Sequence, residues 1–204
     1  MKWIATLLIS LLSISAQAQT LLVLGDSLSA AYGMELKQGW VHLLEQRLQQ
    51  KNLHSHVINA SVTGDTTAGG LKRLPTLLQE YQPYLVIIEL GGNDGLRGYP
   101  LGQLHKNISA MIEISHNSGA EVLLLGIRIP PNYGRRYSEG FFNSYAKLAN
   151  TSQTALVPFF MAGVGDNVEL MQADGIHPNA KAQPQLLENV WAQLDALVSS
   201  KNNE

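Results

Sequence analysis

Five short runs of this 204-residue chain are almost wholly apolar, at residues 21–24, 57–58, 85–90, 122–125 and 155–157. They do not alternate apolar with polar, so each reads as a strand covered on both faces. Between them lie residues at helical spacing. Trp40, Leu43, Leu44 and Leu48 share one face, as do Leu104, Ile108, Met111 and Ile112, and Leu187, Trp191, Leu194 and Val198. Pro184 falls in the first turn of the last helix. Strands that alternate with helices predict an α/β domain of three layers, α/β/α, around a five-stranded, mostly parallel sheet. No linker, repeat or low-complexity tract interrupts it, and the tail "SSKNNE" is expected to fray.

The first residues read differently. Lys2, the apolar stretch 3–14 and "AQA" at 16–18 have the order of a signal peptide with an A-x-A cleavage site. Residues 1–18 are therefore expected to be removed, which leaves 19–204 as one domain in the periplasm or outside the cell. The apolar stretch is shorter than the ~20 residues of a membrane span, and no later stretch approaches that length, so no stable membrane insertion is expected. The formal net charge is −2, without the basic stripe of a nucleic-acid binder. The chain has no cysteine, which excludes disulfides, a thiol nucleophile and thiolate metal ligands. With no evident apolar patch motif, the domain is expected to be a monomer.

Open parallel sheets bind ligands beyond the carboxyl ends of their strands, at the switch in strand order. Here the first strand ends in "GDS", the second runs into "NASVTGDT", and the third ends in "GGND". Ser27 on a strand-to-helix turn has two readings. Asp26 or Ser27 can cap a helix, or Ser27 can be a nucleophile. The turn lacks the G-x-S-x-G elbow of the common α/β-hydrolases, so the choice depends on finding a base.

Of six histidines, His42, His54, His56 and His105 lie in or beside amphipathic segments with no carboxylate three residues earlier. His116 has Glu113 in that place, as an ordinary pair on one helix. His177 differs. It follows Asp174 by three residues in "ADGIHPNA", a loop bounded by Gly175 and Pro178. Such a loop can aim the carboxylate at one ring nitrogen and leave the other for a nucleophile, as a general base requires. The alternative is a turn capped by Asp174. Acyl transfer also needs donors for an oxyanion. Gly64 allows close approach to a backbone N–H, and Asn93 offers a side-chain amide. The plain alternative for each is a turn residue.

"GDSLS", "NASVTG", "GGND" and "DGIHPN" resemble the four sequence blocks of the SGNH/GDSL hydrolase family, in the family's order. "ELGGNDGLRG", "PNYGRRY" and "LVPFFM" are similar to its bacterial periplasmic thioesterase I/lysophospholipase/protease I subgroup, along nearly the whole length after residue 18. The resemblance implies a flavodoxin-like fold with strand order 2-1-3-4-5. It implies Ser27 as nucleophile, His177 as base oriented by Asp174, and an oxyanion hole of the Ser27 and Gly64 amides with the Asn93 side chain. One departure lies beside the nucleophile, where "SAAYGM" places Ala31 and Gly33 at positions that relatives often fill with glycine and a larger polar residue.

The expected function is hydrolysis of acyl esters and thioesters through an acyl-enzyme, on acyl-CoA-type thioesters, lysophospholipids and aryl esters, with no metal and no cofactor. In the subgroup a mobile loop closes on acyl chains. Here it corresponds to residues 94–100, with Tyr99, Ile129 and Pro130 as candidates for lining the groove. Arg135 and Arg136 either meet an anionic head group or are solvated. Another SGNH carboxylester hydrolase, such as an arylesterase or carbohydrate esterase, is the nearest alternative. More remote are a metal-dependent phosphohydrolase with Asp26, Asp65, Asp94 and Asp174 around a cation, and a non-catalytic binding module.

Overall fold

The computed structural model describes residues 19–53 and 55–201, so the expected signal peptide (1–18), His54 and residues 202–204 lie outside it. In chain order the elements are β1 (Gln19–Gly25), α1 (Trp40–Gln50), β2 (Ser55–Asn59), α2 (Thr67–Tyr81), β3 (Leu85–Glu89), α3 (Gly92–Leu96), α4 (Leu101–Asn117), β4 (Glu121–Leu125), α5 (Arg135–Ser152), β5 (Ala155–Val157) and α6 (Gln183–Lys201). The sheet has the order β2-β1-β3-β4-β5, and all four pairings are parallel. The expected α/β architecture and strand order are therefore both present.

Successive strand residues serve opposite cores, which is why the strands read as continuous apolar runs. Leu21, Val23, Leu85, Ile87, Leu123 and Leu125 pack with α1 and α6. Leu22, Leu24, Val86, Ile88, Val122 and Leu124 pack with α2, α4 and α5 on the other face. β2 is an edge strand, and its exposed His56 and Asn59 account for the short apolar signal there. At the other end, α6 runs on through Lys201, so residues 199–201 are helical rather than frayed, with Val198 buried one position before them.

α2 carries no clean periodic signal, because Gly69, Gly70 and Pro75 lie within it. Its start is capped by the Thr66 hydroxyl, which accepts from the Gly69 amide at 3.3 Å, and its Leu74 and Leu78 are buried. Gly70 gives Leu90 its place, since a Cβ there would fall 2.2 Å from Leu90 Cδ1 and the leucine would have to shift. α1 borrows its cap from the end of the chain. Buried Gln183 accepts the Trp40 amide at 3.0 Å, which ties the start of α6 to the start of α1.

β4 and β5 meet closely at Gly126, whose amide donates to Val157 O at 2.8 Å. A Cβ at that position would stand 2.2 Å from Pro158 O, a backbone atom that cannot swing aside. Gly126→Ala is expected to destabilise the fold by about 1–3 kcal/mol, the usual cost of overpacking. A lowered urea midpoint at constant m-value is the readout, and an unchanged midpoint would show that the strands open there without strain.

Candidate active site

β1 and β3 are neighbours in register, with Gly25 opposite Glu89. The chain leaves them in opposite senses around the sheet, so the loops after them face one another across the crevice. Ser27 lies on the first turn after β1 and is 8% exposed. From the far end of the sequence, His177 places Nε2 3.0 Å from Ser27 Oγ. Asp174 Oδ2 lies 2.6 Å from His177 Nδ1. A carboxylate can only accept, so it selects the tautomer with the proton on Nδ1 and leaves Nε2 to accept from the serine hydroxyl.

Asp174 is also the turn cap that the sequence offered as the alternative. Its Oδ1 accepts the amides of Ile176 at 2.9 Å and His177 at 3.0 Å, around Gly175 at φ +67°. The His177 amide and ring, followed by the Ile176 amide, hold the Asp174 carboxyl down at about 2, so it is ionised at neutral pH. Asn179 stiffens the same loop by donating to Glu169 O and Met171 O. Gln172 joins this loop to the turn that carries Ser27, since its Nε2 donates to both Tyr32 O (2.8 Å) and Pro178 O (3.0 Å). The Tyr32 ring then lies against the His177 imidazole, with centroids 4.5 Å apart.

Gly64 takes φ +78°, a left-handed conformation that glycine adopts without cost. Space is not the reason for it, because nothing lies within 4 Å of where a Cβ would be. Its carbonyl accepts from Arg97 at 3.1 Å. The amides of Ser27 and Gly64 have no acceptor among the described residues. Asn93, in α3, donates one side-chain N–H to Asp26 Oδ2 at 3.0 Å. The three expected oxyanion donors thus come from the loops after β1, β2 and β3.

The flanking candidates divide. Ile129 is 7% exposed and packs in the core, where a Cβ on Gly95 would fall 2.6 Å from its Cγ2. Pro130 and Tyr99 are exposed at the rim. The loop after α3 is fastened to the start of α5 and the turn before it, with Tyr133 donating to Leu96 O (2.8 Å) and Tyr137 to Tyr99 O (2.6 Å). Arg135 pairs with Glu139 and both side chains are exposed. At the departure noted in the sequence, Ala31 holds φ +56°, a conformation that costs a residue with a Cβ about 1–2 kcal/mol.

The four aspartates do not gather around a common point. Asp65 pairs with Arg73, Asp94 accepts the Thr67 amide and hydroxyl, Asp174 holds His177, and Asp26 holds Asn93. Among the described residues no three acidic, histidine or cysteine side chains could share a metal ion. The phosphohydrolase expectation fails on that arrangement.

One group escaped the sequence reading. Glu89 closes β3 and is fully buried, directly behind the turn that carries Ser27. Its Oε2 accepts the Ser29 hydroxyl at 2.8 Å and the Asp26 amide at 3.3 Å, and Trp40 Nε1 donates to Ser29 Oγ at 3.2 Å. Burial, and then the neighbouring Asp26 carboxyl, push Glu89 well above its ordinary value. Burial likewise raises Asp26 to about 6, against the Leu28 amide and the Asn93 side chain, which favour its charged form. A single acidic letter within an apolar strand was the available signal.

A three-layer α/β fold that presents serine, histidine and aspartate in this geometry at its switch point defines a serine hydrolase acting on esters. Residues 23–183 match the GDSL-like Lipase/Acylhydrolase family, and the chain belongs to that family. It is 57% identical to Esterase TesA of Pseudomonas aeruginosa over 92% of this chain and 94% of that one. It is 47% identical to Thioesterase 1/protease 1/lysophospholipase L1 of Escherichia coli K12, over 91% of this chain and 88% of that one. The crystal structure of the esterase EstA from Pseudoalteromonas, inhibited by monoethylphosphonate, superposes with a TM-score of 0.85 at 41% identity, over 89% of this chain and 99% of that one.

The raised Glu89 gives stability a pH dependence of known sign. A carboxyl that is neutral in the folded state contributes fully below its ordinary value of 4.5, and the contribution is lost as pH rises toward the raised folded value. Gln at this position does not titrate. The Tm of Glu89→Gln relative to wild type is therefore expected to rise steadily as pH increases above 4.5. A difference independent of pH would show that Glu89 ionises as easily folded as unfolded.

Proposed function

We propose that the protein cleaves acyl esters and thioesters by two-step acyl transfer, with Ser27 as nucleophile, His177 as general base and Asp174 as its orienting carboxylate. The observation that carries this reading is the continuous line from Asp174 Oδ2 through the imidazole to Ser27 Oγ, at 2.6 and 3.0 Å. His177 takes the hydroxyl proton as Oγ attacks the carbonyl carbon. Negative charge collects on the carbonyl oxygen, for which the Ser27 and Gly64 amides and the free N–H of Asn93 are the available donors. His177 then gives its proton to the departing alcohol or thiol. Water enters by the same route in reverse and releases the acid. These steps draw on side chains and amides of the chain alone.

The substrates best supported are fatty acyl thioesters, lysophospholipids and aryl esters. Exposed large apolar side chains stand on every connection that leaves a strand's carboxyl end, at Tyr32, Val62, Tyr99, Tyr133 and Ile176. An apolar rim around a polar reaction centre suits an acyl chain that lies across the surface. A hollow of about 450 Å³ lies beside it between α1 and the β2 edge, and neither Ser27 nor His177 lines it. The acyl site is accordingly a shallow one, tolerant of chain length, with Tyr99 and Pro130 at its edge and Ile129 in its floor. No helix among the described residues is long and apolar enough to cross a membrane. Removal of residues 1–18 on export and action as a periplasmic or secreted monomer complete the proposal.

Incubation with a fluorophosphonate should add one adduct to the peptide containing Ser27, unchanged by chelator and absent from His177→Ala. A folded protein that takes up no label would refute the activated serine. Asn93→Ala should lower kcat by ~10²–10³, the usual loss for one oxyanion-hole donor, and near-normal turnover would remove Asn93 from the mechanism.

A further inference from the structure

Asn93 can help an oxyanion only if its amide nitrogen, and not its amide oxygen, faces the reacting carbon. The two ends of the group are nearly the same shape, and a half-turn of the terminal torsion exchanges them. Among the described residues its side chain has one polar partner, Asp26 Oδ2 at 3.0 Å. A carboxylate accepts and does not donate, so it can face only the nitrogen end. One N–H is then committed to Asp26, and the planarity of the amide fixes the direction of the other.

Asp26 is itself held from three sides. It is 2% exposed, and its second oxygen accepts the Leu28 amide at 3.0 Å. Its own amide donates to Glu89 Oε2, which also takes the Ser29 hydroxyl. At Gly25, just before it, a Cβ would come within 2.9 Å of Ser29 Cβ, Ser61 Oγ and Glu89 Oε2. Asp26 therefore has little freedom to follow Asn93 if the amide turns. The titratable groups that face Asp26 are Glu89 beneath it, His177 across the crevice and Asp65 from the loop after β2.

We propose that Asp26 is the positioning residue of the oxyanion hole, with a carboxylate that fixes the Asn93 amide nitrogen-forward while Glu89 and Ser29 hold Asp26 in place. The inference rests on the reading of Asn93 as an oxyanion donor. It gives the second letter of "GDS" a task separate from the nucleophile beside it. The substitution Asp26→Asn exchanges one carboxylate oxygen for an NH2 group. Where that group faces the Asn93 nitrogen, two donors oppose each other, and the clash is relieved when the Asn93 amide flips and turns its oxygen to the new donor.

The test is a double-mutant cycle on p-nitrophenyl butyrate, with kcat and KM measured separately for wild type, Asp26→Asn, Asn93→Ala and the double variant. Asp26→Asn should lower kcat ~10–100-fold with KM changed little, as for a group that acts only in the transition state. On Asn93→Ala, the added Asp26→Asn should cost no more than about twofold, because the group it orients is gone. A general loss of structure would not depend on whether Asn93 is present. Asp26→Ser serves if Asp26→Asn does not fold, since a serine hydroxyl can still cap Leu28 but has no second acceptor for Asn93. Losses that multiply in the double variant, or an Asp26→Asn enzyme as fast as wild type, would overturn the proposal while the oxyanion role of Asn93 stands. Near-normal turnover by Asn93→Ala would instead bring down the oxyanion reading, and this inference with it.

Discussion

The pairing of β1 with β3 determines the geometry of the candidate active site. Gly25 faces Glu89 in register, so the turn that carries Ser27 starts directly over a buried carboxyl. Such a group is costly to bury unless its oxygens find donors. Here the Asp26 amide and the Ser29 hydroxyl both reach Oε2, while Oε1 is buried without a partner among the described residues. Those bonds also fix the first residues of the turn, and Trp40 anchors Ser29 from the opposite side. The rest of the site is built outward from this point. Asp26 reaches Asn93, Arg73 reaches back to Ala60 O after β2 and Gly25 O at the end of β1, and Asp94 ties α3 to Thr67 at the start of α2.

Much of this was readable in the letters, for physical reasons that can be named. A strand covered on both faces has no polar side to hide, so β1, β3 and β4 stood out as apolar runs. β2 was clipped because an edge strand exposes His56 and Asn59. α2 was missed because its glycines and proline serve contacts that only the packed fold reveals, above all Gly70 beneath Leu90. At the site, Asp174 and His177 were legible because three residues around a glycine form a local unit whose geometry is nearly independent of the rest of the chain. Glu89, Gln172 and Trp40 were not, since their partners lie 60, 140 and 11 positions away and no local pattern announces them.

The competing readings of the polar turns proved to be compatible. Asp174 caps its own loop with one oxygen and grips the imidazole with the other. Asp26 caps Leu28 with one oxygen and holds Asn93 with the other. A carboxylate has two oxygens and about four acceptor directions, so local structure and chemistry need not compete for it. Rigid turns follow, with the functional oxygen placed by the same atoms that fold the loop. A short motif of Asp beside Ser or His is therefore poorly described as either a cap or a catalytic element.

Ser27 and His177 are 150 positions apart in the chain, yet their side chains meet at 3.0 Å. The His loop is docked by Gln172 on Tyr32 and followed by Gln183 on Trp40, so its placement waits on the last helix packing against the first. A chain emerging in order, from the amino end, carries the proposed nucleophile early and the proposed base only when nearly all of it is available. Closing a loop this long carries an entropy cost that local contacts do not. A chain without its last segment would lack the Ser27–His177 contact altogether, so the arrangement proposed for hydrolysis exists only when the two ends of the polypeptide have closed on each other.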